Sequence, residues 1–363
     1  MSEFSVSGSN VVVMGAARSG VAAAKLLVRR GARVTLSDLR TTVENADELR
    51  ANDIDLELGG HRMETLQTAD LIVLSPGVSP HQSVVETARR RGMPMISEIE
   101  LAARWLRGRI VAVTGTKGKS TTTVLTGRMF AEGGRNAVIG GNIGTALSSQ
   151  VEESRPDVVH VVEVSSFQLE FIDTFRPWIA VFLNLSPDHL DRHESFQAYA
   201  EAKARIFSNQ TEDDAMVINA DDPRVLEIAR RSRARRCRFS IKPTPNDEIT
   251  VTNNAITRRA VDGVQRLVPL SAVQVPGRHL LSDIVAATAV GSLAGVDAES
   301  MTRAVGTFTG LEHTLELVRE VNGVRYVNDS KATNMVAARE AIECFGMGLV
   351  VILGGRFKGG AFE

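Results

Sequence analysis

The residues 111–123, VAVTGTKGKSTTT, set two glycines and two lysines between a β-branched run and a row of hydroxyls. Gly115 and Gly118 bracket Thr116 and Lys117, and Lys119, Ser120 and Thr121 follow at once. The general phosphate-loop pattern G-x-x-x-x-G-K-[ST] wants glycine where Val113 stands, so the match is imperfect. The chemical parts are nonetheless all there. Backbone N–H groups and a helix N-terminus suit phosphate oxygens, a lysine suits their charge, and a serine hydroxyl suits magnesium. A lysine-bearing surface turn capped by Ser120 is the plainer alternative. The coincidence of strand, glycines, Lys-Ser and threonines favours a nucleotide triphosphate.

Magnesium needs more ligands than one hydroxyl and a phosphate supply. In VVEVSSFQLE, Glu163 ends an apolar run, where a lone buried carboxylate would be unfavourable without a cation. In LNLSPDHLDRH, His189 follows another such run. Taken alone His189 reads as a loop histidine; paired with Glu163 and the loop it reads as a ligand. Lys203 in YAEAKARIF lies in an apolar helical stripe, and by itself reads as a solvated helix lysine. The polar run Asn328 to Asn334, NDSKATN, follows a strand and opens a helix, which suits either a cap or a ligand site. GAARSG, from Gly15 to Gly20, precedes a helix, and Asp38 ends the next strand, so an NAD-linked dehydrogenase must be weighed. Its spacing is G-x-x-x-x-G, with Ala17 where the dinucleotide fingerprint needs glycine, and nothing else in the chain supplies a hydride-transfer site.

Short β-branched runs alternate with helical stretches through the first third, as in NVVVMG, GVAAAKLLVRRG and RVTLSD. Continuous apolar runs of this kind predict parallel strands covered on both faces, hence an α/β fold. A second start at RGRIVAVTG puts a boundary near Arg107, and the pattern changes again after Gly310. The expected units are 1–106, 107–310 and 311–363. LELVREVNGVRYVNDS reads as a hairpin turning at Asn322-Gly323, and GLVVILGG as a further buried strand. The third unit looks cut short against the ~100 residues a self-sufficient domain usually needs.

The formal net charge of -1 leaves no basic field to gather nucleic acid or anionic lipid. The arginine-rich stretch 230–238 reads as a solvated face. Two cysteines, Cys237 and Cys344, far apart and in no metal-ligand spacing, argue against a disulfide framework and fit a reducing compartment. No run approaches the ~20 apolar residues of a membrane span. A cytoplasmic protein with no nucleic-acid or membrane partner is expected.

With these residues assembled, the chain resembles the Mur ligases, and among them the branch that adds D-glutamate to UDP-N-acetylmuramoyl-L-alanine. GTKGKST (115–121), GGNIG (140–144), EVSSFQLE (163–170), SPDHLDRH (186–193), AKARIF (202–207), NDSKATN (328–334) and SPGVSP (75–80) carry the resemblance, in the family's order and over nearly the whole chain. It implies a Rossmann-like first domain that binds UDP rather than NAD, a central ATPase-type α/β domain, and an incomplete Rossmann-like third domain. It implies an ATP-dependent amide ligase of peptidoglycan precursor synthesis, serving cell shape and division, and working through an acyl phosphate.

By the same resemblance, Gly115 to Thr121 with Asn328 and Asp329 would bind ATP, with Lys119 on its phosphates. Ser120, Glu163, His189 and a carbamylated Lys203 would hold two magnesium ions, and Lys119, Lys203 and His189 would be the catalytic set. Ser75, Pro76, Gly77, Asn142, Ser165, Gln168, Lys331, Thr333, Asn334 and Lys358 would meet the substrates. A monomer is expected. Thr314 and Phe357 depart from the family pattern, and the part that completes the D-glutamate pocket is absent, so a fragment or truncated product is expected. The alternative function is a nucleotide-binding fragment without ligase activity.

Overall fold

The computed structural model describes residues 4–354 apart from 191, 261–262, 276, 333–334 and 346. Thr333, Asn334, Phe357 and Lys358 lie outside the described residues.

Strands β1 (Asn10–Met14), β2 (Arg33–Asp38), β3 (Ile54–Leu58), β4 (Leu71–Leu74) and β5 (Met95–Ser97) form a parallel sheet in the order β3-β2-β1-β4-β5. Its apolar runs are continuous because successive side chains enter different cores. Val11 and Val13 join one buried cluster and Val12 and Met14 another. Both faces are therefore covered, as a wholly parallel sheet requires. Helix Arg18–Arg29 crosses this sheet closely. A Cβ on Gly20 would stand 1.7 Å from the Gly15 carbonyl oxygen, so the second glycine of GAARSG serves helix-to-strand packing.

The second sheet holds β6 (Arg109–Thr114), β7 (Ala137–Gly141), β8 (Val159–Glu163), β9 (Ile179–Phe182), β10 (Ala215–Asn219), β11 (Arg235–Ser240), β12 (Ile249–Thr252), β13 (Ala255–Ala260) and β14 (Gly263–Pro269). Their order is β14-β13-β12-β11-β10-β9-β6-β8-β7, parallel from β7 to β12 and antiparallel beyond. The same alternation holds here: Val111 and Val113 face one core, Ile110 and Ala112 the other. Helices Lys119–Glu132 and Arg278–Leu293 pack together on one face, with Gly291 of the latter set against Met129, and Ala286, Ala287 and Ala289 are buried. Because β6 lies between β9 and β8, the loops leaving these three strands meet at one edge of the sheet. Such a switch point is where open α/β sheets place ligands.

The third unit begins with the expected hairpin, β15 (Glu316–Val321) and β16 (Val324–Asn328), turning at Asn322 (φ 50°) and Gly323 (φ 77°). The run 349–354 differs from expectation. It forms no strand, and Val350 and Ile352 are 88% and 94% exposed. A strand needs a neighbour for its N–H and C=O groups and layers over its faces, and no described residue provides either for this run. Among the described residues no helix is long and apolar enough to cross a membrane.

Candidate active site

The phosphate-loop residues run from the end of β6 into helix Lys119–Glu132. Gly118 takes the N-cap position with φ +79°, a left-handed conformation that L side chains adopt at a penalty. A Cβ there would also lie 2.0 Å from Asp283 Oδ1 of helix Arg278–Leu293. The loop is pinned from the β9 side. The Thr116 N–H donates to the Asn184 carbonyl at 3.0 Å, and the Lys117 N–H to Asn184 Oδ1 at 2.9 Å. Asn184 Nδ2 returns a bond to the Lys117 carbonyl at 3.1 Å. Thr121 is buried on the first turn of the helix.

Glu163, at the end of β8, is 2% exposed. Ser120 Oγ donates to its Oε2 at 2.6 Å and Asn142 Nδ2 to its Oε1 at 2.8 Å. The structure thus joins the phosphate loop, the β8 end and the GGNIG loop through one carboxylate. Among the described residues no group of three or more His, Cys, Asp and Glu forms a ready-made metal cage. A carboxylate beside a hydroxyl at a phosphate loop suits an ion that takes few protein ligands and completes its shell with phosphate and water, which is the habit of magnesium.

Lys119 Nζ donates to the Thr116 carbonyl at 3.0 Å. Burial lowers its pKa, opposed by Glu163, Asp188 and Asp283 and assisted by the charge of Lys331. That repulsion from Lys331 places the 328–331 stretch within electrostatic reach of the phosphate loop. Within the stretch, Asn328 Nδ2 meets His313 Nδ1 at 2.8 Å, and Asp329 Oδ1 accepts from the Leu315 N–H at 3.0 Å. Burial pushes the Asp329 carboxyl up. At the departure from the family pattern, the Thr314 hydroxyl is buried with no hydrogen-bond partner among the described residues.

Lys203 overturns the reading of a solvated lysine. It is 2% exposed, because the ring of Tyr199 lies 4.8 Å beneath its amine and helix Phe196–Ala204 turns that face to the core. Its Nζ donates to the Gly115 carbonyl at 2.8 Å and reaches Thr114 Oγ1 at 3.4 Å. Burial first, and the charge of Lys119 second, hold its pKa well below the ordinary lysine value. Both act in the direction of the neutral amine.

His189 stands on the loop after β9 at φ +52°, its side chain 49% exposed and its ring edge-on to Phe167 at 5.1 Å. Ser165 and Gln168 are occupied with one another. Ser165 caps helix Ser166–Leu169, with both halves of the capping box formed, while Gln168 Nε2 is buried without a partner among the described residues.

A cavity of about 370 Å³ opens between the first sheet and the GGNIG loop, lined by Ser75, Pro76, Gly77 and Asn142 together with Arg18, Asp38, Arg40 and His61. Ser75 Oγ donates to the Gly15 carbonyl at 2.9 Å. Asp38 does not present itself to a ribose. Its carboxylate accepts the Ala16 N–H at 2.6 Å and pairs with Arg40, which holds it far below the usual carboxylate range. Arg18 Nη1 bonds the Gly144 carbonyl at 3.0 Å, and Arg192 Nη2 the Val78 carbonyl at 3.0 Å, so both cleft walls are tied together. Arg18, Arg192, Asn184 and Asp283 are site residues that sequence reasoning missed. Asn184 and Asp283 do leave a trace, as polar residues breaking apolar runs.

A parallel α/β scaffold with a phosphate loop at its switch point, a buried carboxylate and a second α/β unit across the cleft defines a nucleotide-using enzyme. Comparison sharpens this. The Mur ligase MurD-like N-terminal domain matches residues 9–97, and the Mur ligase middle domain residues 113–291. The UDP-N-acetylmuramoylalanine–D-glutamate ligase of Acidobacterium capsulatum is 44% identical over 356 residues, covering 97% of this chain and 77% of that protein. Its counterpart in Koribacter versatilis is 42% identical over 360 residues, covering 98% and 80%. The chain belongs to the Mur ligases. The solved UDP-N-acetylmuramate-alanine ligase MurC of Thermotoga maritima shares the fold at a TM-score of 0.57 and 18% identity, covering 93% of this chain and 77% of that one.

Proposed function

We propose that this protein joins D-glutamate to UDP-N-acetylmuramoyl-L-alanine at the expense of ATP, in the synthesis of peptidoglycan precursors. The observation that carries the reading is Glu163, whose carboxylate is bound on one side by Ser120 of the phosphate loop and on the other by Asn142 of the cleft wall. One acidic group thus spans the nucleotide loop and the cavity of the first unit. The names of the relatives supply the substrates.

A carboxylate is a poor electrophile, so it must first be activated. The terminal carboxylate of the UDP-linked substrate attacks the γ-phosphorus, the bond to ADP breaks, and an acyl phosphate forms. The amine of D-glutamate then adds to the acyl carbon and loses a proton, and phosphate leaves. Lys119 and the N-terminus of helix Lys119–Glu132 neutralise the triphosphate. Ser120 and Glu163, with His189, would hold magnesium, which when bound would supply screening of the repulsion between the two reacting anions.

The neutral amine of Lys203 adds carbon dioxide and releases a proton, and the carbamate oxygens give the otherwise cationic corner a second acidic group for the other ion. Asn328, Asp329 and Lys331 approach the nucleotide from the third unit. Unit boundaries fall near residues 107 and 310, the work is done in the cytoplasm, and the protein acts as a monomer. Magnesium-dependent ADP release that requires both UDP-N-acetylmuramoyl-L-alanine and D-glutamate tests this. Failure to bind both Mg-ATP and UDP in titration calorimetry would remove it.

A further inference from the structure

His61 follows β3 and lines the cavity, yet the ligase chemistry makes no use of it. Its Nδ1 lies 2.7 Å from the Ser37 hydroxyl, and that hydroxyl lies 2.9 Å from Glu57 Oε1. The same carboxylate accepts from the Arg62 N–H at 2.9 Å and from the Thr65 hydroxyl. Burial would raise the Glu57 carboxyl, but bonds from Thr65, Arg62 and Ser37 together hold it below its usual range, so it stays ionised and only accepts. Ser37 has one hydroxyl hydrogen. Turning it away from Glu57 would set oxygen lone pairs face to face. The hydrogen therefore goes to Glu57, and the Ser37 oxygen accepts from His61 Nδ1–H. This leaves Nε2 with its lone pair and, among the described residues, without a protein hydrogen-bond partner. Burial also keeps the imidazole neutral, against the pull of Asp38 and Glu57.

The competing acceptor in this corner is saturated. Asp38 accepts the Ala16 N–H at 2.6 Å, the Arg40 N–H at 2.8 Å and the Arg40 guanidinium at 3.0 Å through each oxygen. A carboxylate offers about four lone-pair sites, and all are taken. Position points the same way. In a doubly wound sheet the diphosphate sits at the first βα turn and the ribose at the end of the second strand, so the base falls toward β3, from whose end His61 emerges.

We propose that His61 reads the nucleobase of the UDP-linked substrate, its Nε2 accepting a hydrogen bond from the uracil N3–H while Ser37 and Glu57 fix the tautomer. This rests on the reading that the cavity takes the UDP moiety.

The test is titration calorimetry with UDP and with N3-methyl-UDP, which lacks that donor. The wild-type protein is expected to prefer UDP by about tenfold or more, the size of one lost hydrogen bond at a site left with an unpaired acceptor. In His61→Ala the preference drops to within about threefold, and His61→Gln, which keeps a carbonyl acceptor, recovers part of it. Ser37→Ala leaves the ring in place but frees its tautomer, and narrows the preference as well. A His61→Ala protein that binds UDP with the wild-type ratio overturns the inference alone. If His61→Ala does not fold, an unchanged ratio in Ser37→Ala overturns it. Wild-type protein that binds no UDP overturns the reading of the cavity along with it.

Discussion

Acid should loosen the central sheet at a single histidine. His160 in β8 is 1% exposed, with Nδ1 at 2.7 Å from Gln150 Oε1 and Nε2 at 2.8 Å from Ser154 Oγ. The Ser154 oxygen already accepts the N–H groups of Arg107 and Gly108, so its hydrogen points at Nε2 and the ring is neutral, with its proton on Nδ1. Burial pushes its pKa down from 6.5 to about 4. The unfolded chain takes up this proton near pH 6.5 and the native chain only near pH 4, so the unfolded state binds more protons in between, and stability falls as pH falls through that window.

Linkage puts the loss at about 1.4 kcal/mol at pH 5.5, about 2.5 kcal/mol at pH 4.5, and about 3 kcal/mol in all. Gln150 passes the effect on. Its Nε2 donates to Thr145 Oγ1 at 3.0 Å, beside the GGNIG loop that carries Asn142. Urea unfolding of the wild type and of His160→Asn at pH 7, 5.5 and 4.5 measures it. The variant's own offset cancels in the slope, so the gap between the two should close by about those amounts as pH falls. Parallel pH profiles would refute the reasoning.

Gly118→Ala sets a side chain at φ +79° and drives its Cβ against Asp283 Oδ1. It should lower stability by about 2 kcal/mol or more and weaken ATP binding at least about tenfold, read by thermal melting and calorimetry. An unchanged melting temperature would mean that helix Arg278–Leu293 yields without loss. Lys203→Ala should abolish turnover, and added acetate should restore part of it by standing in for the lost carbamate; a variant as active as the wild type would eliminate the carbamate. Because only the neutral amine adds carbon dioxide, wild-type activity at low bicarbonate should decline as pH falls toward the lowered pKa of Lys203. A bicarbonate-independent pH profile would count against it.

The parallel strands of both sheets, the glycine-bracketed turn from β6 into its helix and the Asn322-Gly323 hairpin were legible in the chain, because each is written locally. A β-branched run, a glycine at a forced turn or a hydroxyl at a helix start acts through its own neighbours in sequence. The run 349–354 has equally strong local preference and still forms no strand, since pairing and cover must come from elsewhere. Lys203 reads locally as a solvated lysine, and only the packing that closes around it, with Tyr199 and the Gly115 carbonyl, buries the amine and lowers its pKa.

The pairing of Ser120 and Asn142 on Glu163 joins residues 43 and 21 positions apart. The order of strands around β6 brings them together. The sequence by itself determined the elements and the chemical groups at their ends, since short-range sterics and periodicity suffice for those. The tertiary structure decided which groups share a charge, a proton or a cavity, since burial and Coulomb interaction depend on distance in space rather than along the chain.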